Sequence, residues 1–269
     1  MPELPEVETV AKSVKKHLIG SSFSSMTLNW EKTLHNFDIN DFNNKVKDFP
    51  IKDVYRRAKY IIIDLGQAIM PVHLRMTGKL YASNLIDPAK KHISLYLQFN
   101  NKYLVFEDTR KFGRFYLYKN MDFLNNKLGV EPLSIDFTED WILKNMKSRN
   151  RQIKQLLFDQ SFLCGLGNIY IDEALWKAKI HPLSISSKIP STNIVNLRKS
   201  IIKVLSESIK LGGTTIRDYT YDFSYVGNYV LNLNVFGKHG TKCPRCSTII
   251  IKDKVSQRGT HYCPKCQKI

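Results

Sequence analysis

Four cysteines near the end of the chain constrain its fold more than any other feature. They form two Cys-x-x-Cys pairs, Cys243/Cys246 and Cys263/Cys266, with sixteen residues between the pairs. Four thiolates at this spacing can surround one zinc ion tetrahedrally when a hairpin brings the pairs together. Two disulfide bonds are the alternative, but such bonds are rare inside cells. The spacing therefore predicts a zinc ribbon that holds one structural Zn²⁺ ion.

The composition favours a polyanionic partner. The 269-residue chain has 41 Lys and Arg residues against 24 Asp and Glu residues, which gives a formal net charge of +17. Such an excess attracts nucleic acid or an acidic membrane surface. The longest apolar runs, such as residues 60–63, are far too short to cross a bilayer, and the acidic N-terminus does not resemble a signal peptide. We therefore expect an intracellular, nucleic-acid-binding protein with no membrane partner.

The spacing of apolar residues changes along the chain. Residues 4–18 have helical spacing, whereas residues 21–120 contain short segments rich in Ile, Val and aromatic residues, of which 94–99 alternates with period two. Such strands indicate a sandwich or a barrel. Helical spacing returns after residue 125, and we predict helices near 139–147, 150–161, 169–178 and 192–211. The whole pattern predicts an α+β multidomain protein, divided into residues 1–125, 126–234 and 235–269.

Pro2 would be the first residue of the mature protein once the initiator Met is removed, and its nitrogen would then be a secondary amine. Such an amine can attack a carbonyl-like carbon and give an iminium ion. The pKa of an α-amino group is about 8, so a useful fraction is unprotonated near neutrality. Glu3 and Glu6 place carboxylates beside this amine. The alternative is an ordinary helix start, because Pro and Glu favour a first helical turn.

A Gly-x-Gly turn separates two of the predicted helices. Gly165 and Gly167 permit a tight turn, and Asn168 suits an N-cap after which backbone N–H groups could bind a phosphate. A helical hairpin packed in a core is equally consistent with this spacing. Nucleic acid is favoured by five basic residues just upstream: Lys144, Lys147, Arg149, Arg151 and Lys154.

Six motifs together resemble the bacterial formamidopyrimidine-DNA glycosylase family, which also contains endonuclease VIII. They occur in family order at residues 1–10, 56–60, 73–78, 108–113, 165–170 and 257–266. Leu4 stands where the endonuclease VIII branch typically has Gly, which points to the branch for oxidised purines. The resemblance implies an N-terminal helix with a β-sandwich, a helix–two-turn–helix domain and a zinc finger, with double-stranded DNA carrying a damaged base as the partner.

The resemblance also implies the catalytic residues of a bifunctional DNA glycosylase and AP lyase. Pro2 would attack the sugar C1′ of a nucleotide that carries a damaged base such as 8-oxoguanine, and Glu3 would protonate the ring oxygen. Lys59 would assist β-elimination, and Arg258, at the tip of the zinc hairpin, would serve δ-elimination and clamp a phosphate. Glu6 and Glu173 would support these residues; alternatively, Glu6 only orients Pro2 and Glu173 only faces solvent on a helix.

An enzyme of this family would extrude the damaged base from the duplex and fill the hole. The residues that match this task are Met76, Arg110 and Phe112; core packing is the alternative for Met76 and Phe112, although the charges around Phe112 favour exposure. The resemblance implies DNA contacts from His92, Arg110, Lys154 and Asn168, to which Arg149 and Arg151 are added. It also implies a loop closing over the base, with Thr214, Thr215, Arg217 and Tyr219. The chain departs from its relatives at Asn150, where many have a basic residue, and at Cys164, where Ala is common.

The sequence leaves two other functions open. One is an endonuclease VIII-like glycosylase for oxidised pyrimidines, against which Leu4 and the Arg110–Phe112 pair count. The other is a zinc-ribbon DNA-binding protein without catalysis, which would have no reason to combine Pro2, Glu3 and Lys59. We expect the protein to act as a monomer in the bacterial cytoplasm, associated with the nucleoid.

Overall fold

The computed structural model describes residues 1–87, 89–214 and 227–269. These residues fall into two compact units, of which the first comprises Met1–Asn126 and the second Lys127–Thr214 with Asn228–Ile269. Within the described ranges, every helix is too short or too polar to span a bilayer.

The first unit contains two four-stranded antiparallel sheets. In chain order, its elements are α1 (Leu4–Leu18), β1 (Phe23–Leu28), α2 (Ile39–Lys45), β2 (Asp53–Arg57), β3 (Tyr60–Asp64), β4 (Ile69–His73), β5 (Lys79–Ser83), β6 (Ile93–Phe99), β7 (Lys102–Glu107), β8 (Arg114–Phe115) and α3 (Asp122–Lys127). One sheet has the order β1-β6-β7-β5 and the other β2-β3-β4-β8. The predicted β region is therefore a sandwich.

One apolar core joins α1 to both sheets. Val7, Val10 and Val14 of α1 are fully buried, as are Phe23 of one sheet and Ile61 of the other. Burying each such side chain contributes about 1.5–3 kcal/mol. The apolar residues that recur at helical spacing thus form the face with which α1 packs against β2, β3 and β5. This packing fixes the N-terminal end of α1 against the sandwich.

Helix α2 interrupts the region that was predicted to contain only strands. Its first turn is capped by Asp38, whose carboxylate accepts the N–H of Asp41 at 2.9 Å, and only Phe42 of the helix is buried. A helix with one apolar anchor leaves almost no periodic signal, because an amphipathic stripe needs several apolar residues.

The second unit consists of helices and a terminal hairpin: α4 (Glu139–Lys147), α5 (Ile153–Phe158), α6 (Asn168–Ala178), α7 (Ser191–Lys210), β9 (Ile251–Val255) and β10 (Arg258–Tyr262). The predicted helices near 139–147, 169–178 and 192–211 are confirmed to within one residue. The helix predicted near 150–161 is shorter and runs over Ile153–Phe158. Before it, the carbonyl oxygen of Arg151 accepts the N–H of Ser186 in an extended pairing. After it, the Asp159 carboxylate accepts the N–H of Ser161 and starts a turn.

Candidate active site

Pro2, Glu3 and Glu6 are all buried at the N-terminal end of α1. Glu3 is the N-cap residue, and Glu6 accepts the N–H of Glu3 at 2.8 Å in a capping box. Glu6 therefore fixes the backbone directly after Pro2. This segment is a helix start, and the capping box leaves room for a further role of Pro2.

Lys59 lies at the turn between β2 and β3 and is 6% exposed. The preceding Ala58 has a φ of +52°, a left-handed conformation that L-residues adopt at a cost. Arg56 supports this turn by donating to the carbonyl oxygen of Ala58 at 3.2 Å, and its Nε donates to Glu8 of α1 at 2.8 Å. The hairpin that carries Lys59 is thus tied to the helix that begins at Glu3. Lys59 is also too buried to act as an exposed charge that prevents pairing at a strand edge.

His73 was missed as an individual residue, although the motif at 73–78 contains it. Burial, together with the positive charges of Arg75 and Lys59, lowers the pKa of His73 to about 3. Its Nδ1 accepts the backbone N–H of Arg75 at 2.9 Å, and Tyr60 packs edge-on against its ring with centroids 4.7 Å apart. His73 is therefore a neutral imidazole whose ionisation responds to the charge of Lys59.

Met76, Arg110 and Phe112 come together at the surface of the first unit. The apolar pair is solvent-exposed, with Met76 at 43% and Phe112 at 47%. Arg110 donates from Nη1 to the Met76 sulfur at 3.1 Å, and its guanidinium carbon lies 4.8 Å from the centroid of the Phe112 ring. The structure therefore contradicts the core-packing alternative for Met76 and Phe112 and groups all three predicted void-filling residues.

Asp108 organises this group, a role that no local sequence pattern indicates. Its buried carboxylate accepts the backbone N–H groups of Arg110 (3.1 Å), Phe112 (2.8 Å) and Gly113 (2.7 Å). It also accepts the hydroxyl of Thr77, next to Met76, at 2.5 Å. The Asp108 backbone N–H donates in turn to the carbonyl oxygen of the exposed His92 at 2.9 Å. One carboxylate thus joins both loops that carry the exposed side chains.

The Gly165–Asn168 turn is present, but its cap differs from the prediction. Gly165 has a φ of +87°, which explains why glycine is used there, whereas Gly167 is extended and is itself the N-cap of α6. Asn168 is the first residue of the helix, not its cap. Its side-chain amide donates to the carbonyl oxygen of Gly259 at 2.8 Å, and its buried Oδ1 has no hydrogen-bond partner among the described residues.

Lys154 is not at the surface, unlike the other predicted basic contacts. Its ammonium group lies 2.5 Å from an Asp172 carboxylate oxygen, and both side chains are buried, at 1% and 0% exposure. In this conformation Lys154 cannot reach a phosphate, because the ammonium group has no access to solvent. Arg149 and Arg151 remain half-exposed, the first bonded to the carbonyl oxygen of Asn145 and the second to the carboxylate of Asp159.

Glu173 does not face solvent, in contrast to the alternative considered for it. Its carboxylate accepts the backbone N–H groups of Asn234, Val235 and Phe236 at 2.8–3.0 Å. This contact holds the segment that leads into the zinc module against α6. Of the predicted lesion loop, Thr214 is buried against the Tyr170 hydroxyl, and Thr215, Arg217 and Tyr219 lie outside the described residues.

The four cysteines of the two pairs converge as the spacing predicted. Their Sγ atoms all lie within 4.8 Å of one another, and none of the five cysteines of the chain forms a disulfide. Zinc–sulfur bonds of about 2.3 Å in a tetrahedron require sulfurs about 3.8 Å apart. The contacts between Cys246 and Cys263 (3.4 Å) and between Cys243 and Cys266 (4.0 Å) bracket that value. The donor set therefore fits one Zn²⁺ ion.

Surrounding groups support this site. The indole N–H of Trp176 donates to the Cys243 sulfur at 3.4 Å, and the Cys266 N–H donates to the Cys263 sulfur at 3.5 Å. Such outer contacts orient thiolate ligands and stabilise their charge. The hairpin between the cysteine pairs turns at Ser256 and Gln257, which have φ angles of +50° and +63°. Arg258 follows directly, at the tip of the hairpin as expected.

Comparison with known proteins defines the class. Residues 1–115 match the formamidopyrimidine-DNA glycosylase N-terminal domain, residues 128–220 the H2TH domain of the same enzymes, and residues 240–269 the zinc finger found in FPG and IleRS. These matches place the chain among the zinc-finger DNA glycosylases.

Full-length relatives narrow this class to one family. The chain is 44% identical to the formamidopyrimidine-DNA glycosylase of Protochlamydia amoebophila over all of both chains, and 38% identical to that of Enterococcus faecalis over 100% of this chain and 98% of the relative. A solved complex of a Lactococcus lactis FPG mutant with Fapy-dG-containing DNA superposes with a TM-score of 0.93 at 38% identity, covering 100% of both chains. A MutM complex with carbocyclic 8-oxo-G DNA gives 0.92 at 37% identity, again with 100% coverage of both chains. The chain belongs to the formamidopyrimidine-DNA glycosylase family, which confirms the family and fold class predicted from the sequence.

Proposed function

We propose that this protein excises oxidised purines, such as 8-oxoguanine and formamidopyrimidines, from double-stranded DNA and then cleaves the strand as a lyase. The observation that carries the proposal is the buried cluster at the start of α1. There, Pro2 is followed by the carboxylates of Glu3 and Glu6, and the hairpin of Lys59 is tied to the same helix. A DNA-binding module without catalysis has no need for this arrangement.

The reaction begins at the Pro2 nitrogen, which requires that Met1 has been removed. The unprotonated amine attacks C1′ of the damaged nucleotide, and the C1′–N bond breaks. The base leaves with the bonding electrons and takes up the proton that the amine loses. The nitrogen lone pair then expels the ring oxygen O4′, which accepts a proton from Glu3, and a C1′ iminium ion forms.

Two eliminations then cut the strand. The iminium ion acidifies the C2′–H bond, and loss of that proton breaks the C3′–O bond, whose electron pair leaves with the phosphate. Loss of the C4′ proton breaks the C5′–O bond in the same way. We assign Lys59 to proton transfer in the first elimination and Arg258 to the second. Water hydrolyses the iminium ion, which restores Pro2 and leaves a one-nucleotide gap.

The exposed Met76, Arg110 and Phe112 group would fill the space left by the extruded nucleotide. Apolar wedges suit unstacked base steps, and a guanidinium group can hydrogen-bond the orphaned base. We assign phosphate contacts to His92, Arg149, Arg151 and Asn168, and a supporting role to the buried Lys154. In this proposal zinc is structural, because all four ligand positions are cysteine.

Borohydride trapping tests the proposal. Wild-type protein incubated with a duplex carrying 8-oxoguanine opposite cytosine should give a covalent protein–DNA complex, because borohydride reduces the iminium ion to a stable amine. A tag retained before Pro2 should abolish trapping, because an acylated nitrogen cannot form an iminium ion. Pro2→Gly keeps a primary amine and should only reduce trapping. A matched duplex carrying an oxidised pyrimidine should trap far less. Preferential trapping of that duplex would favour the endonuclease VIII-like alternative, and no trapping of either would favour a binding protein.

We also propose that the protein acts as a monomer in the cytoplasm, in association with the nucleoid. Light scattering across a concentration series tests the first part, and fluorescence imaging of a C-terminal fusion tests the second. A stable dimer, or a fusion excluded from the nucleoid, would contradict these assignments.

A further inference from the structure

We propose that Asp172 and Phe158 are positioning residues for Arg258, and that they determine how completely strand cleavage proceeds from β- to δ-elimination. This inference rests on the proposed lyase function. It concerns contacts within the second unit that neither touch the reacting atoms nor belong to the zinc site.

Asp172 connects α6 with α5 and with the zinc hairpin. One carboxylate oxygen lies 2.5 Å from the ammonium group of Lys154 in α5, and the other accepts the backbone N–H of His261 in β10 at 2.9 Å. His261 is three residues after Arg258 on the same strand. A fully buried, charge-assisted contact of this kind fixes the position of β10. Breaking the contact would leave a charged side chain buried without a partner, which costs free energy.

Phe158 supports the Arg258 side chain itself. The guanidinium carbon of Arg258 lies 5.0 Å from the centroid of the Phe158 ring, which is within the range of a cation–π contact. Phe158 is the last residue of α5 and follows Lys154 by four positions, so both lie on the same side of this helix. Helix α5 therefore supplies both the partner of Asp172 and the surface on which Arg258 rests.

A third contact holds the hairpin at Gly259, which lies between Arg258 and His261 in β10. Asn168 donates from its side-chain amide to the carbonyl oxygen of Gly259, directly after Arg258, at 2.8 Å. The backbone of β10 is thus held at Gly259 and at His261, the first and third residues after Arg258, while the guanidinium group is held by an aromatic face. Arg258 itself is exposed, so without these supports its long side chain would sample many rotamers.

This arrangement matters most for the last step of the reaction. In δ-elimination the C4′ proton is lost, the C5′–O bond breaks, and its electron pair leaves on the phosphate. A fixed guanidinium group stabilises the charge that develops there, because it needs no reorganisation at the moment of bond breaking. Base excision and Schiff-base formation occur before this step and depend on Pro2. Loosening Arg258 should therefore change the product distribution rather than the initial chemistry.

The test is a single-turnover assay with full-length, zinc-loaded protein on an end-labelled 8-oxoguanine:cytosine duplex, in which gels separate β products from β,δ products. Phe158→Leu should raise the ratio of β to β,δ product roughly two- to fivefold, which is the factor expected when one exposed cation–π contact is lost. Phe158→Tyr, which keeps the aromatic face, should retain the wild-type ratio. Asp172→Asn should shift the ratio in the same direction as Phe158→Leu. Borohydride trapping should proceed at the wild-type rate in each variant that folds.

The outcomes separate the inference from the proposed function. A wild-type protein that yields no β,δ product would contradict the lyase proposal itself. If the wild type yields this product and Phe158→Leu keeps its ratio, the inference is overturned, whether or not Asp172→Asn folds. A variant that loses trapping and δ-elimination in equal proportion would also overturn it, because that result would show a general structural defect.

Discussion

Asp108 offers the sharpest test of how the exposed Met76–Arg110–Phe112 group is held. Its carboxylate accepts four hydrogen bonds, three from backbone N–H groups of residues 110, 112 and 113 and one from the Thr77 hydroxyl. Asp108→Asn keeps the shape of the side chain but replaces one acceptor oxygen by a donor NH₂ group. Because the three backbone N–H groups can only donate, the amide can accept only those on its oxygen side, whereas the Thr77 hydroxyl can either donate or accept.

The size of the effect follows from this geometry. Oδ2 accepts from Phe112 and Gly113, and Oδ1 accepts from Thr77 and Arg110. An amide with its NH₂ group on the Oδ2 side loses two bonds. With its NH₂ group on the Oδ1 side it loses the Arg110 bond, the Thr77 hydroxyl turns to accept, and the remaining bonds lose their charge. A hydrogen bond to a charged group contributes about 1.5–3 kcal/mol. The loop is partly exposed and water can replace some of this loss. We therefore expect Asp108→Asn to lower the free energy of unfolding by about 3 kcal/mol.

Urea unfolding and DNA binding together measure the consequence. Asp108→Asn should lower the unfolding free energy and weaken binding to a duplex with a stable abasic-site analogue about tenfold, whereas binding to undamaged duplex should stay the same. The control is Asp122→Asn, which removes an exposed carboxylate of the same unit. The reasoning is refuted if Asp108→Asn matches Asp122→Asn in both stability and abasic-site affinity.

Three further predictions concern other parts of the molecule. Asp172→Asn alone should destabilise the protein by about 3–5 kcal/mol, because it leaves the Lys154 charge buried without a partner. Adding Lys154→Met should recover most of this loss in thermal unfolding. Equal melting temperatures for the single and double variants would contradict the buried pair. His73 has a pKa of about 3 in the folded protein and about 6.5 in the unfolded chain. The unfolded chain therefore binds a proton first as the pH falls below 6.5. This binding should lower the free energy of unfolding by about 2 kcal/mol at pH 5. His73→Gln should therefore lose less stability than wild type in urea titrations between pH 7.5 and 5, and parallel curves would disprove this. Removing zinc with a chelator should unfold the β9–β10 hairpin and weaken DNA binding, as measured by hydrogen exchange and fluorescence anisotropy; unchanged protection of residues 251–262 would refute a structural ion.

The sequence predicted well those features that depend on local spacing. The helix at residues 4–18 and the zinc hairpin follow from apolar periodicity and from cysteine spacing, and both are rules about neighbours in the chain. The exposure of Phe112 could also be inferred, because too many charges surround it for burial. The family resemblance added the sandwich, which strand patterns alone could not distinguish from a barrel.

The sequence is least informative where residues distant in the chain determine the environment of a side chain. Lys154 looks like a surface cation in sequence, but its partner Asp172 is 18 residues away on another helix. Glu173 was weighed as a solvent-facing residue, yet it binds backbone amides some 60 residues further on. Asp108 was overlooked because its value lies in four partners that only the folded loops bring together. Burial of a charged side chain leaves no local signal, so pattern reasoning assigns such residues to the surface by default.

The most direct measurement of the central claim is to identify the residue that becomes covalently bound to DNA. The borohydride-reduced complex with the 8-oxoguanine duplex can be digested with nuclease and protease and mapped by mass spectrometry. We expect a single modified peptide that begins at Pro2, with the sugar remnant on its N-terminal nitrogen. A remnant on Lys59 or on another lysine, or a trapped peptide that still carries Met1, would contradict it.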